Sequence, residues 1–324
     1  FKIQNRGGVG VKGMSTKEDD TVKILRHSKT KTDVLFFTNT GRVYHSRGYQ
    51  IQEGSRTSKG IPIVNFLDLK EGESISSIVS MDDYSENSYL FFATKEGVVK
   101  RCFAKDFENI NANGKIAISL HDGDELLDVK NTDGTSRISL ASSDGKLCSF
   151  DENEVRAMGR TASGVRGISL IGDNKVVGLV SSIDGNRIFS LSSLGMGKIT
   201  SSDEYRVTHR GSKGVITMKV GEGKGDLITV KTVNGDENII IITDQGTTIK
   251  TSLSQVRDTG RNSVGVKMIR LKDDEVISSC CIEPSEEEYE AKEENAVEEN
   301  VQEKEDENIL KELIKNSEND DSEE

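Results

Sequence analysis

The sequence predicts an all-β protein whose short strands stack radially as propeller-like blades. Three observations predict this: a repeat with a period of about fifty residues, apolar runs closed by turn glycines in each repeat, and the lack of helical periodicity before residue 283. The repeat centre is an Arg followed four residues later by Gly, ahead of an apolar stretch. It occurs as Arg6/Gly10 in RGGVGV, Arg56/Gly60 in RTSKGIPIV, Arg160/Gly164 in RTASGVRGISL, Arg210/Gly214 in RGSKGVITMKV and Arg261/Gly265 in RNSVGVKMIRL. A weaker copy, INANGKIAISL, has Gly114 in register and Ile110 in place of the arginine. Successive centre glycines lie 50, 54, 50, 50 and 51 residues apart.

Taken in order, a second landmark precedes every centre but the first. VLFFTNTGRVY turns at Gly41, YLFFATKEGVVKR at Gly97, RISLASSDGKLCSF at Gly145, RIFSLSSLGMGKI at Gly195 and NIIIITDQGTTIKT at Gly246. Each reads as a β-hairpin, because two apolar runs flank residues that accept positive φ. A third run follows each later centre: ISSIVSM, LLDVK, VVGLVSS, DLITVKT and EVISSCC. One module therefore predicts about four short strands in about fifty residues. Runs such as Ile239 to Ile242 are apolar at every position, which predicts strands sandwiched between neighbours on both faces. The first module lacks its hairpin half, which is expected to lie upstream of Phe1.

Charge divides the chain of 324 residues in two. The whole carries 43 Lys and Arg against 55 Asp and Glu, but from Glu283 onward there are 4 against 19, a net of −15. Residues 1–282 are left with 39 basic and 36 acidic side chains, a net of +3. The segment 283–324 is charge-dense and predicts a disordered acidic tail, since it buries too little apolar surface to offset chain entropy. A mildly basic body with an acidic tail is a pattern of nucleic-acid binders. Cys102, Cys148, Cys280 and Cys281 form no CxxC pair and read as reduced thiols. No apolar run is long enough for a membrane span.

Catalytic chemistry finds no support in the sequence. His27, His45, His121 and His209 lack metal-ligand spacing, and neither a Walker loop, GxSxG nor HExxH occurs. No metal and no cofactor is expected. Basic residues do recur in register. The centres supply Arg6 and Lys12, Arg56 and Lys59, Lys115, Arg160 and Arg166, Arg210 and Lys213, and Arg261 and Lys267. Just past the hairpin glycines stand Arg42, Lys100, Arg101, Lys146, Lys198 and Lys250. Any one of them alone reads as a solvated strand-end cation. As a register-locked set they predict a belt of positive charge that grips the phosphates of a bent duplex. Beside Arg6, Gly7 and Gly8 would let a phosphate reach main-chain N–H groups.

The stretches QNRGGVG and GRVYHSRGYQIQEGSRTSKGIPIVNFLDLKEGESI resemble the C-terminal domain of the A subunit of bacterial DNA gyrase. The resemblance covers residues 1–282 and implies a six-bladed β-pinwheel, a propeller-like ring. It implies that the domain wraps double-stranded DNA around its rim, the wrap becoming negative supercoils through strand passage performed by other domains. The family's heptapeptide box, QRRGGKG, falls on Gln4, Asn5, Arg6, Gly7, Gly8, Val9 and Gly10. Asn5 and Val9 stand where the pattern has basic residues, which implies weaker wrapping at this site. The implied partners are the B subunit together with the remainder of the A subunit, in an A2B2 ATP-dependent topoisomerase of the bacterial cytoplasm and nucleoid. The catalytic tyrosine and the ATPase would lie outside this chain, and the isolated domain is expected to be monomeric and off the membrane. Two alternatives remain. The equivalent domain of topoisomerase IV does not wrap chirally, and a protein-binding propeller would need an apolar or aromatic patch, in a chain with no Trp.

Overall fold

The computed structural model describes Ile24, residues 28–51 and residues 60–283. The box at residues 4–10, Lys12, Arg56, Lys59 and the segment 284–324 lie outside the described residues. The described chain is a run of strands and 3-10 turns. Five hairpins form the backbone of five blades: β1 (Asp33–Thr38) with β2 (Arg42–Arg47), β4 (Tyr89–Thr94) with β5 (Val98–Phe103), β8 (Arg137–Ser142) with β9 (Lys146–Asp151), β12 (Arg187–Ser192) with β13 (Met196–Ser201), and β16 (Asn238–Thr243) with β17 (Thr248–Ser252). Each hairpin pairs antiparallel with an inner strand: β3 (Ile75–Met81), β7 (Leu126–Thr132), β11 (Val176–Ser181), β15 (Leu227–Val233) and β19 (Ile277–Glu283), respectively. These are the hairpins and third runs expected from the sequence.

The fourth strand corrects the contiguous four-strand module. β6 (Lys115–Ile116), β10 (Val165–Arg166), β14 (Val215–Ile216) and β18 (Val266–Lys267) each join the outer edge of the preceding module's hairpin, giving the order β3-β1-β2-β6 and its equivalents. The physical reason is at the hairpin turns. The carbonyls of four turn glycines, Gly41, Gly97, Gly145 and Gly195, are capped by the next module: Gly41 accepts from Ala117 and Ile118, and Gly145 from Thr217 and Met218. At Gly145, with φ +79°, a Cβ would stand 2.3 Å from the Met218 oxygen, so the incoming strand needs glycine there. Blade 5, β17-β16-β19, has three strands among the described residues. The Gly60 centre forms a 3-10 turn, Ile63–Asn65, rather than a two-residue strand.

The cores lie between blades, as both-face apolar strands require. Adjacent residues on β4 face opposite ways: Phe92 packs edge-on against Phe37 of blade 1 at 5.5 Å, while Phe91 meets Phe150 of blade 3 at 6.3 Å. Four buried clusters repeat this between successive blades. The inner strands stand side by side around a cavity of about 340 Å³ lined by Ser76, Lys130, Leu179, Lys231 and Cys281 among others. The last strand runs to Glu283, whose carboxylate meets Lys250 at 2.5 Å.

Candidate nucleic-acid interface

The centre loops join into a rail that runs from blade to blade. The amide of Ser119 donates to Ala162 O (3.3 Å), that of Ser169 to Ser212 O (3.0 Å) and that of Lys219 to Ser263 O (3.2 Å). Each donor lies five residues after a centre glycine and each acceptor two residues before the next one. Arginines reinforce the links: Arg210 Nη1 donates to Arg166 O at 3.0 Å, and Arg261 Nη1 to Ile216 O at 3.4 Å. The three later loops are also fastened inward to the outer strand that each crosses. The Thr208 amide donates to Ser149 O (2.7 Å) and the Thr259 amide to Ile199 O (2.9 Å).

The rail carries the centre cations. Arg166, Lys213 and Lys267 are exposed, and Lys115, Arg160, Arg210 and Arg261 are partly exposed. Sequence reading missed a second register on the same loops: Arg156, Arg206 and Arg257, all exposed, each four residues before the centre arginine. Their signal is present as VRAMGR, YRVTHR and VRDTGR, spaced 50 and 51 residues apart, where the Val or Tyr anchors the core and the arginine beside it faces out.

Three of the six hairpin cations are buried, unlike the described centre cations. Lys100 and Lys198 are fully buried and Arg101 is 7% exposed. The second hairpin strand lies beneath the incoming loop, so its side chains serve as ties. Lys100 Nζ donates to Ala117 O at 2.6 Å and to Arg160 O, and Lys198 Nζ donates to Gly260 O at 2.7 Å. At the equivalent place Cys148 Sγ approaches His209 O at 3.9 Å. Burial pushes the Lys100 ammonium below its usual value and brings Lys198 down to about 8. Arg101 donates to Asn153 Oδ1 at 2.9 Å and lies 3.6 Å from the buried Glu152 carboxylate. Arg42 spends its guanidinium on Asn113 O and Gly114 O, Lys146 pairs with Asp144 at 2.6 Å, and Lys250 with Glu283. Sequence spacing locates these residues but does not tell which face of the outer strand is covered.

Acidic groups also line the loops. Glu154 accepts from the Arg210 amide at 2.9 Å and lies 3.3 Å from His209 Nδ1, and Glu204 accepts from the Arg261 amide at 2.8 Å. Among the described residues, no group of three or more His, Cys, Asp or Glu side chains is arranged to hold a metal ion, and no helix is long and apolar enough to cross a membrane.

Comparison with known proteins bears on the ring. The family model described as DNA gyrase C-terminal domain, beta-propeller, matches six segments: residues 1–26, 32–80, 88–133, 137–182, 186–234 and 237–280. The A subunit of DNA gyrase from Ureaplasma parvum serovar 3 is 46% identical over 282 residues, covering 87% of this chain and 34% of the relative. Its counterpart in Mycoplasma genitalium is 44% identical over 275 residues, covering 85% and 33%. The chain thus spans about a third of the length of the curated relatives it matches. A solved DNA gyrase A C-terminal domain superposes with TM-score 0.73 at 22% identity, covering 87% of this chain and 92% of that one. The C-terminal domain of DNA topoisomerase IV gives 0.73 at 23%, covering 87% and 90%. Both show a shared fold.

Proposed function

The chain belongs to the DNA gyrase C-terminal-domain family, and we propose that it binds double-stranded DNA along the centre-loop rail and wraps it chirally. The observation that carries this reading is the rail itself: hydrogen-bonded loops linking successive blades, with arginines at Arg156/Arg160, Arg206/Arg210 and Arg257/Arg261 repeated at the blade period. A repeated cation lattice without a matching pattern of base-reading side chains suits phosphate contact and deformation of the duplex. Six matched segments, the first of them residues 1–26, support a six-bladed ring, and the box at Gln4 to Gly10 falls within that first segment. The acidic segment 283–324, with its net charge of −15, competes with phosphate for the basic side chains of the rim.

In this reading the domain is the non-catalytic wrapping part of an ATP-dependent topoisomerase. The B subunit, together with the remainder of the A subunit, supplies cleavage and ATP hydrolysis in the bacterial cytoplasm, at the nucleoid. The topoisomerase IV reading is the second one, favoured by Asn5 and Val9 in the box and by the equal superposition on both solved domains.

The test is ligation of nicked circular DNA in the presence of the 324-residue chain, followed by measurement of linking number. A positive shift is expected, with affinity falling about a thousandfold or more between 50 and 200 mM salt if six or more phosphates are engaged. Salt-sensitive binding with an unchanged linking number would transfer the chain to the topoisomerase IV reading. Salt-insensitive binding would refute phosphate gripping.

A further inference from the structure

Two carboxylates stand where a DNA-binding surface should avoid them. Glu154 and Glu204 both end the 3-10 turns that follow an outer hairpin strand, Glu152–Glu154 after β9 and Ser202–Glu204 after β13. They lie 50 residues apart, in register, beneath loops that carry Arg210 and Arg261. Near phosphate, an acid repels. These two instead spend their charge on the protein: Glu154 Oε2 accepts the Arg210 main-chain N–H at 2.9 Å, and Glu204 Oε2 accepts that of Arg261 at 2.8 Å. Glu154 adds its own carbonyl, which accepts from Arg210 Nε at 3.2 Å.

We propose that Glu154 and Glu204 are positioning residues for polyanion contact: each fixes the main chain at the centre arginine of the loop crossing its blade, so that the guanidinium meets phosphate already ordered. The inference rests on the DNA-binding reading above. Its physical basis is that ordering a loop during binding subtracts from affinity, whereas a loop ordered beforehand does not. The Arg261 loop shows how completely this is arranged. Lys198 Nζ holds Gly260 O, Thr200 Oγ1 donates to Thr259 O at 2.9 Å, and Glu204 takes the remaining amide between them and the guanidinium. The same turn position on blade 5 is Gln255, which keeps a side-chain acceptor oxygen without the charge.

This gives an unusual sign. Simple Coulomb reasoning says that deleting an acid from a DNA-binding rim tightens binding; the positioning role says that it loosens binding. Binding of a fluorescent duplex to the 324-residue chain is measured for the unsubstituted protein, Glu154→Ala, Glu204→Ala, Glu154→Gln and Glu204→Gln at one fixed salt concentration. Each alanine variant is expected to bind about threefold to tenfold more weakly, the loss of a charged hydrogen bond that orders the loop. Each glutamine variant, keeping the acceptor and losing the charge, is expected to bind as tightly as the unsubstituted chain or more so. In the free protein, hydrogen exchange at the Arg210 or Arg261 amide should quicken in the alanine variant alone, with exchange in the inner strands unchanged. Alanine variants that bind as tightly as the unsubstituted chain, or tighter, overturn the inference. So do glutamine variants that bind threefold or more weakly than the unsubstituted chain, a comparison that stands even if an alanine variant does not fold. Failure of the unsubstituted chain to bind duplex would instead overturn the DNA reading, and the inference with it.

Discussion

Gly214 sits where a single methyl group should separate the interleaved architecture from its hairpins. At φ +73° it precedes β14, and a Cβ there would lie 2.5 Å from Leu147 O, 2.6 Å from Leu147 C and 2.9 Å from Cys148 N. These are main-chain atoms of β9, held in a ladder on both sides, so they do not yield as a side-chain tip would. Gly214→Ala therefore incurs the left-handed conformation, about 1–2 kcal/mol, and pushes β14 off its edge. That strand pairs with β9 through Val215↔Leu147 and Ile216↔Lys146. At about 1 kcal/mol per hydrogen bond, displacement brings the expected loss to about 3–4 kcal/mol. Gly123 supplies the control, with φ +79° and nothing within 4 Å of a Cβ. Gly123→Ala is expected to cost only the conformational part, about 1–2 kcal/mol. Urea unfolding of the two variants should place Gly214→Ala about 2 kcal/mol below Gly123→Ala. Duplex affinity should fall for Gly214→Ala alone, because the displaced loop carries Arg210. Equal destabilisation by the two substitutions would refute the claim that main-chain crowding at the swapped strand decides this position.

Two further outcomes follow from the buried cations. Lys198 titrates near 8 in the folded protein because burial disfavours its charge, against an ordinary 10.5. Between those values the unfolded chain binds more protons than the native one, so this residue makes unfolding free energy rise with pH across that window and contributes no slope below it. Burial raises the Cys102 and Cys280 thiols to about 11 and 12, which gives the opposite slope. The readout is therefore the difference between the unsubstituted chain and Lys198→Met, whose stability should rise less from pH 8 to 10; parallel curves would sink the assignment. At Arg101, Arg101→Met is expected to cost stability and leave duplex affinity within about twofold, because the guanidinium serves Asn153 and the fully buried Glu152. Breaking a buried pair costs about 3–5 kcal/mol. Weaker duplex binding at undiminished stability would return Arg101 to the DNA-facing set.

Much of the fold was legible because its signals are local. The Gly41, Gly97, Gly145, Gly195 and Gly246 turns were readable from apolar runs around residues that tolerate positive φ, and all five adopt it. Apolar residues at consecutive positions of β4 and β16 announced burial on both faces. The strand exchange was not legible, because a two-residue strand such as Val215–Ile216 has no periodicity, and which edge it joins depends on the exposed carbonyl of a glycine about seventy residues earlier in the chain. At the site, period gave the arginine positions, whereas the facing of Lys100 and Lys198 depends on the incoming loop above them. Arg156, Arg206 and Arg257 are equally periodic, but they stand eight positions upstream of the glycine that marks each centre, outside the Arg-to-Gly spacing that defines the repeat.

The strand exchange also explains why the cation lattice is sensitive to blade geometry. The loop bearing Arg210 leaves the blade 4 hairpin, crosses to blade 3 and ties there through the Thr208 amide, the Glu154 carboxylate and β14, before returning to β15 of blade 4. The Arg261 loop does the same between blades 5 and 4. Each arginine therefore belongs by sequence to one blade and by contact to its neighbour, so a rotation between two blades shifts successive arginines relative to each other. A polyanion bound along the rail consequently acts on the angle between blades, and anything that alters that angle acts on the path of the polyanion. That reciprocity follows from linkage whatever the ligand. On the proposed DNA reading, it makes the interface between adjacent blades, rather than any single cation, the element that sets the curvature of a bound duplex.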